Sequence, residues 1–522
     1  MTVMKKFVYN IAIVAAAACM TASCTPVDNF LNVDPSKNTD RSVKTVEQLE
    51  AIIVNYGKYF EEHNDMAMAS DDFRITKLIH TMKPYVAGQL DHILWNTENT
   101  SNYRYYAWYG EYQKVYYANL VLNNLDNVTG SEEKKAELKA EAHFLRAYCF
   151  FQIALAHTLY YDGTNGDELG ITLKQTTSFE EDIARASLKD TWDFIESDLQ
   201  EALKIDNPLF SHDGKRQTWR ATTASVRAFA ARYYLYRGDY ENARKYALEA
   251  LAEYSEQKDY NDPKEMYHHA VPDTYTINSG TPQQEVISVW YPYTKDRVVK
   301  DEKRGFLAEW KGLYYVRTVY DARFWFAPSD DLINTFYADV PEGDPNNDLR
   351  YYFYLLPDFG LRSCTKTTEG RQPGYCQFFY ADIISGPTTA EMCLIVAECM
   401  ARAGDWAGAM EYVETVRRNR IVSAVYEPLK VSSKSEAIKK ILQERRREMP
   451  FSIRWYDMKR LNANDPENQI TVVREFYEYN STTVMTDKPK TYVLEPGSRR
   501  YALPIYNQEI INAGGKVQQN TY

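Results

Sequence analysis

The stretch from Ala230 to Leu251, AARYYLYRGDYENARKYALEAL, decides the fold class because its pattern recurs later in the chain. The second copy runs from Val396 to Val416 and reads VAECMARAGDWAGAMEYVETV. Both copies contain an alanine, then Gly-Asp-aromatic, then a further alanine and a tyrosine at the same spacing. Glycine favours the left-handed end of one helix, aspartate caps the next, and alanines permit close contact. Each copy therefore predicts an antiparallel helix pair.

The two copies resemble tetratricopeptide repeats, which stack helix pairs around a shared core. Their glycines, Gly238 and Gly404, lie much farther apart than the repeat period of about 34 residues, so other material is inserted between them. That insert, from about 256 to 386, is rich in proline and carries short strand-like runs such as Val286 to Trp290. We predict a mainly α fold, with a tetratricopeptide-like scaffold and a long loop-rich insert that carries short strands.

Further helices are indicated by apolar periodicity at 105–126, 137–156 and 188–203. In the first of them, tyrosines recur at steps of four, three and four, at Tyr105, Tyr109, Tyr112 and Tyr116. Such spacing places them on one helical face. We interpret that face as part of the core.

The N-terminus has the features of an export signal. Lys5 and Lys6 precede an apolar run over 7–20, and small residues lead into Cys24. The run is too short to span a bilayer comfortably, so we expect cleavage. A cysteine directly after small residues resembles a bacterial lipoprotein signal, in which Cys24 becomes the acylated, palmitate-bearing first residue. An ordinary secretory signal with an incidental Cys24 is the alternative.

Composition narrows the function classes. The chain has 522 residues, with 61 Lys+Arg against 72 Asp+Glu and a formal net charge of −11. This balance argues against a nucleic-acid partner, which needs a concentrated basic face. The aromatic content of 14% argues against disorder, and 43 tyrosines suggest many half-wet aromatic surfaces.

Several segments, taken in order, resemble the SusD/RagB family of outer-membrane nutrient-binding lipoproteins. They begin with the lipoprotein-like start and FLNVDPSKNTD, and continue with MASDDF, EAHFLRAYCFF, the segment 221–243 and the segment 327–350. The most specific is AIKKILQERRREMPFSIRWYDMKRLN, residues 437–462, and the tail YALPIYNQEI follows it. The resemblance covers the chain from its N-terminus to its tail.

The resemblance implies a lipid-anchored, surface-facing outer-membrane protein that captures glycan for a TonB-dependent, SusC-like transporter. A peptide-binding, RagB-like uptake protein and a structural or adhesive helical-repeat protein are the alternatives. The expected regions are a signal peptide over 1–23, an N-terminal SusD-like region with helical repeats over 24–255, a ligand-face insert over 256–386, and a C-terminal helix pair with the SusD/RagB C-terminal region over 387–522. Neither a cofactor nor an enzymatic activity is expected, since the chain carries no catalytic signature.

Aromatic residues in polar segments, many punctuated by proline or glycine, are the candidate ligand contacts. A sugar ring has an apolar C–H face with a rim of hydroxyls, so its site combines flat aromatic rings with nearby amides. The candidates are Trp95, Asn96, Trp290, Tyr293, Trp310, Tyr314 and Trp325. Local packing is the alternative for each ring, and we expect at least two of the group to contact ligand.

Two charged motifs have a structural interpretation. The run Glu444 to Glu448, ERRRE, is expected to form a helix whose charges are solvated or mutually paired. The adjacent Asp71 and Asp72 are too close in sequence to act across one glycosidic bond, so we expect them to cap a loop.

Metal-like motifs are equally weak. The spacing Asp344-x-Asn346-x-Asp348 opens like a calcium loop but lacks its glycine and terminal glutamate, and the pair His268-His269 lacks a third ligand. No metal is expected, although a looser calcium site stays open. For Cys364 and Cys376, which flank a polar loop, a disulfide and two separate thiols both stay open.

Overall fold

The structure is a computed structural model. It describes residues 43–75, 87–96, 107–210, 214–268, 271–277, 280–282, 284–290, 307–320, 326–356, 373–378, 382–480, 483–484 and 488–522.

Helices dominate the described residues. In chain order they are α1 Val46–Ile53, α2 Asp65–Ala69, α3 Ala87–Ile93, α4 Ala107–Asn124, α5 Glu132–His157, α6 Leu188–Ala202, α7 Thr223–Arg237, α8 Tyr240–Glu253, α9 Asp330–Thr335, α10 Leu349–Tyr354, α11 Thr389–Ala403, α12 Trp406–Arg417, α13 Lys434–Glu448, α14 Arg454–Asn464 and α15 Asn507–Asn512. The predicted mainly α fold is confirmed.

The strands are short. They are β1 Glu61–Glu62, β2 Asp273–Ile277, β3 Glu285–Val289, β4 Thr318–Tyr320, β5 Leu355–Leu356, β6 Gly374–Tyr375, β7 Asp382–Ile384, β8 Val472–Phe476, β9 Tyr479–Asn480, β10 Thr483–Val484 and β11 Lys490–Leu494. In one small sheet β4 lies between β1 and β7, and the other strands pair two by two, as β2 with β3 and β8 with β11.

The repeated motif forms the two helix pairs that the sequence predicts. Gly238 ends α7 with φ 76°, and Gly404 ends α11 with φ 109°, both in the left-handed region. The side chain of Asp239 accepts the Asn242 N–H at the start of α8, and Asp405 does the same for Gly408 at the start of α12. Both turns therefore use the cap chemistry that the sequence motif indicates.

The helical scaffold is a stack of neighbouring helices. Helix α4 packs on α5, α5 on α6, α7 on α8, α8 on α11, and α11 on both α12 and α13. Its apolar core includes the thiols of Cys149, Cys393 and Cys399, all buried. A second apolar cluster lies mostly in the insert, with Phe326, Phe336 and Tyr375 among its fully buried rings. The exact region boundaries predicted above stay a prediction.

Buried ion pairs hold the insert on the scaffold. Glu444 of α13 is fully buried and pairs with Arg350 of α10 at 2.7 Å, Arg417 at 3.2 Å and Arg447 at 2.8 Å. Arg447 also donates to the carbonyls of Thr335 and Ala338 in the insert. The predicted ion-paired helix is confirmed as paired, but much of its charge lies in the interior rather than in solvent.

Asp71 and Asp72 bind across the chain instead of capping their own loop. Arg454 donates to both carboxylate oxygens of Asp71, at 2.6 and 2.7 Å. Asp72 accepts from Arg446 at 2.7 Å and from the backbone N–H of Phe451 at 2.8 Å. Burial raises the pKa of Asp71, but Arg446 and Arg454 outweigh it and hold that pKa well below its usual range. The two aspartates thus anchor the segment between α13 and α14.

The aspartates of the calcium-like spacing bind groups of the protein itself. Asp344 accepts the backbone N–H of Asn346, and the carboxylate of Asp348 is engaged by Arg350 through Nε at 2.9 Å and Nη2 at 2.7 Å. His268 stacks on the ring of Tyr352, with centroids 4.9 Å apart. Among the described residues, no group of three or more His, Cys, Asp or Glu side chains is placed to hold a metal ion.

Candidate functional site

Trp95 is a core residue, so the prediction that it presents a ring to ligand is wrong. Its side chain is 1% exposed, and its indole N–H donates to the Ala69 carbonyl at 2.9 Å. The guanidinium of Arg474 lies 4.6 Å from its ring centroid. A backbone φ of 52° turns the ring inward at the end of α3, into a cluster with Trp455. The polar sequence around Trp95 therefore does not indicate the long-range contacts that bury its ring.

Asn96 lies on the surface beside α3. Its side-chain amide donates to the Asp91 carboxylate at 3.0 Å, and its backbone N–H donates to the Asp91 carbonyl at 2.8 Å. The residue is exposed, but the tryptophan next to it is turned inward. The expected pairing of an indole with a neighbouring amide is therefore absent at this point of the described chain.

Trp310 and Tyr314 are also buried, contrary to the expectation that they face ligand. The Lys258 ammonium lies 4.0 Å from the centroid of the Trp310 ring, and Phe378 packs edge-on against the same ring. The Tyr314 hydroxyl donates to the Tyr254 carbonyl. Burial lowers the pKa of Lys258 to about 8. These aromatics pack the base of the insert.

Among the candidate aromatic residues that the structure describes, Trp290 is the exposed one, at 44%. It follows β3 in an antiparallel hairpin in which Thr274 pairs with Ser288 and Thr276 with Val286. Because side chains alternate along a strand, Val286, Ser288 and Trp290 share one side, and all three are exposed. We call this surface, formed by Thr274, Thr276, Val286, Ser288 and Trp290, the hairpin face. Tyr293, Trp325 and Cys24 lie outside the described residues, as do Cys364 and Tyr105.

Two tyrosines of α4 are exposed, contrary to the prediction that their face belongs to the core. Tyr109 is 38% exposed and Tyr116 is 45% exposed, whereas Tyr112 is half-buried. The buried side of α4 instead includes Trp108, Val115, Ala118 and Val121. The composition carried a usable signal, since tyrosine suits surfaces where one end packs and the other meets water.

These tyrosines line a groove of about 480 Å³. Its walls are α4, the loop 172–183 and the C-terminal segment 509–517. We call it the tyrosine groove. The loop tip adds Phe179, whose side chain is fully exposed. Few folded proteins gather large exposed aromatics in one place without a partner for them.

The chain is thus a helical-repeat scaffold that carries a loop-rich insert and two aromatic surfaces. Two protein-family models match it. One, described as starch-binding associating with outer membrane, matches residues 29–235, and the other, described as SusD family, matches residues 389–522. The chain belongs to the SusD/RagB family. No curated protein matches it in sequence.

Solved structures share the fold over more than 90% of this chain. A SusD-like protein from Bacteroides fragilis has a TM-score of 0.59 at 17% identity, with 95% of this chain and 99% of that one covered. A SusD-like carbohydrate binding protein from Bacteroides vulgatus has a TM-score of 0.58 at 16% identity, with 91% and 97% covered. A laminarin binding SusD-like protein has a TM-score of 0.55 at 17% identity, with 92% and 99% covered. Within the described part of the chain, no helix is both long and apolar enough to cross a bilayer.

Proposed function

We propose that this chain is a lipid-anchored, surface-facing outer-membrane protein that binds neutral oligosaccharide and delivers it to a TonB-dependent, SusC-like transporter. Family membership carries this proposal, because one matching family model is described as starch-binding and associated with the outer membrane. The laminarin-binding relative, which has the same fold, supports glycan as the ligand class. The role is binding rather than catalysis, and acylated Cys24 would supply the membrane anchor.

The hairpin face is the part of the insert that we assign to ligand. Trp290 offers an exposed indole ring, and the hydroxyls of Thr274, Thr276 and Ser288 lie on paired positions of the same hairpin. Flat apolar contact edged by hydroxyls matches a sugar ring. Tyr293 and Trp325 stay candidate ligand contacts. The net charge of −11 favours a neutral ligand over an anionic polymer.

The test is glycan binding by the chain carrying Cys24→Ala, which keeps it free of lipid. A glycan array that includes starch and laminarin oligosaccharides identifies the ligand, and calorimetry then compares Trp290→Ala with Trp290→Phe. One ring contact is worth about 1 kcal/mol, so Trp290→Ala should weaken binding about fivefold and Trp290→Phe much less. An unchanged melting temperature is expected, since Trp290 is exposed.

The competing peptide function makes the opposite prediction. A chain that retains arrayed peptides and no glycan would refute the oligosaccharide assignment. Delivery is tested separately, by copurification of the lipidated chain with a large TonB-dependent barrel. Failure to recover such a barrel under mild extraction would favour the adhesive alternative.

A further inference from the structure

The tyrosine groove lies on the helical scaffold, on elements that contribute nothing to the hairpin face. Residues of α4 from 108 to 119 line it, and Tyr109 and Tyr116 are seven residues apart on that helix. Two helical turns separate them by about 10.5 Å along the axis. Two exposed rings at that separation form an elongated contact surface rather than a point contact.

The floor of the groove is held rigidly. The hydroxyl of half-buried Tyr112 donates to the Thr172 carbonyl at 2.6 Å. Asn119 donates to the Lys174 carbonyl at 3.0 Å and accepts from Arg146 at 2.8 Å. These bonds tie α4 to the facing loop, so the width of the groove is set before any ligand arrives.

The facing loop is tied down as well, around one carboxylate. Glu181 accepts the backbone N–H groups of Gln175 at 2.8 Å and Thr176 at 3.1 Å, and the Thr176 hydroxyl at 2.8 Å. It also pairs with Lys174 at 2.7 Å. Partial burial raises the pKa of Glu181, but these donors outweigh it and leave the pKa lowered. A preformed wall reduces the ordering cost of binding.

The chemistry along the groove suits a sugar chain. The lining combines exposed rings with groups that hydrogen-bond, including Gln113 on α4 and Asn512 in the C-terminal segment. The one lysine of the described lining, Lys174, already has a carboxylate partner, and Glu509 adds negative charge. An anionic ligand would therefore meet no unpaired cation among these residues.

We propose that the tyrosine groove is a second glycan-binding site that takes a neutral, unbranched stretch of polysaccharide. This proposal rests on the proposed glycan-binding function and adds a separate location to it. Two sites on one chain convert the second contact with a long polymer into an intramolecular event, which raises its apparent affinity well above that for a short oligosaccharide. The groove would thus favour capture of polymer over fragments.

The experiment measures binding of soluble starch and laminarin, and of a short oligosaccharide of each, to the chain carrying Cys24→Ala. The groove variant is Tyr109→Ala with Tyr116→Ala. Loss of two ring contacts should weaken polymer binding at least tenfold, while the short oligosaccharide still binds through the hairpin face. The conservative pair Tyr109→Phe with Tyr116→Phe keeps both rings and should lose much less. Tyr337→Ala, which removes a similarly exposed tyrosine of the insert, is the matched control.

A second measurement does not depend on variants. On addition of polymer, backbone amides of the loop 172–183 should exchange hydrogen more slowly in the wild-type chain, while those of an exposed loop elsewhere should not change. Slower exchange in the loop 172–183 together with the affinity loss supports the proposal.

Three results would overturn the proposal, and they are distinguishable. If the folded double variant binds polymer with wild-type affinity, the tyrosine groove is not a glycan-binding site, but the proposed function is unaffected. No binding of any arrayed neutral glycan by the wild-type chain refutes the proposed function itself. If the double variant no longer copurifies with the transporter barrel but keeps its glycan affinity, the tyrosine groove is a protein-docking surface instead.

Discussion

Removal of the Glu444 carboxylate is the sharpest test of how the scaffold holds the insert. In Glu444→Gln, Arg350 keeps Asp348 at 2.7 Å and Glu448 at 3.0 Å. Arg447 has no other carboxylate partner among the described residues, so its buried guanidinium would be left with carbonyl oxygens alone. Breaking a buried pair by removing one partner costs about 3–5 kcal/mol. We expect a loss of that size in the free energy of unfolding.

The assay is urea unfolding followed by tryptophan fluorescence and far-ultraviolet circular dichroism, with coincident transitions required before a free energy is extracted. Asp193→Asn breaks an exposed pair with Lys189 and should cost far less, because solvent screens such a pair. Adding Arg447→Met to Glu444→Gln removes the stranded charge and should restore part of the loss. If Glu444→Gln costs no more than Asp193→Asn, the buried pairs do not hold the insert.

The same variant has a defined pH dependence. Burial raises the pKa of Glu444, but Arg350, Arg447 and Arg417 outweigh it and hold the pKa well below the ordinary value of 4.5. A carboxyl with a lowered native pKa contributes its full stabilisation above its unfolded pKa and loses it as the pH falls toward the native value. The difference between wild type and Glu444→Gln should therefore be largest at neutral pH and shrink below about pH 4.5. A difference that grows on acidification would contradict this assignment.

Further predictions concern one core residue, one turn and the anchor. Trp95→Ala should cost about 3–5 kcal/mol of stability in urea unfolding, while the folded fraction keeps its glycan affinity; an unchanged urea midpoint would return Trp95 to the surface. Gly404→Val should lower the melting temperature because a β-branched residue resists φ 109°, and since no atom crowds the position, Gly404→Asn should be tolerated better. Cys24→Ala should release the protein from membranes into the soluble fraction, and membrane retention would mean that another segment anchors it.

Local patterns predicted those parts of the fold that local chemistry determines. The turns at Gly238 and Gly404 follow from the left-handed conformation that glycine permits, and a single sequence contains that information. The strand-like run that ends at Trp290 forms β3, and here too the signal is local, because β-branched residues favour extended backbone. Boundaries were close as well: the helix predicted over 188–203 is Leu188–Ala202.

The burial of the candidate aromatics could not be predicted locally, because distant segments cover them. Trp95 is enclosed by Ala69 and Arg474, and Trp310 by Lys258 and Phe378. Neither partner set is near its tryptophan in sequence. Polar neighbours along the chain are therefore weak evidence that an aromatic ring is exposed. They indicate a turn, but they do not show which distant segment packs over the ring.

For the tyrosines of α4 the error is the opposite one, because residues predicted to be buried are exposed. Helical spacing establishes that residues share a face, but the partner of that face decides whether it is core. On α4 the buried side includes Trp108, Ala118 and Val121, whereas Tyr109 and Tyr116 are exposed. Tyr112 packs because its hydroxyl reaches the Thr172 carbonyl, which allows the ring to be partly buried without an unsatisfied polar tip. Tyr109 and Tyr116 stay exposed on the same side of α4. Tyr112 therefore forms the floor of the tyrosine groove, and Tyr109 and Tyr116 form its contact surface.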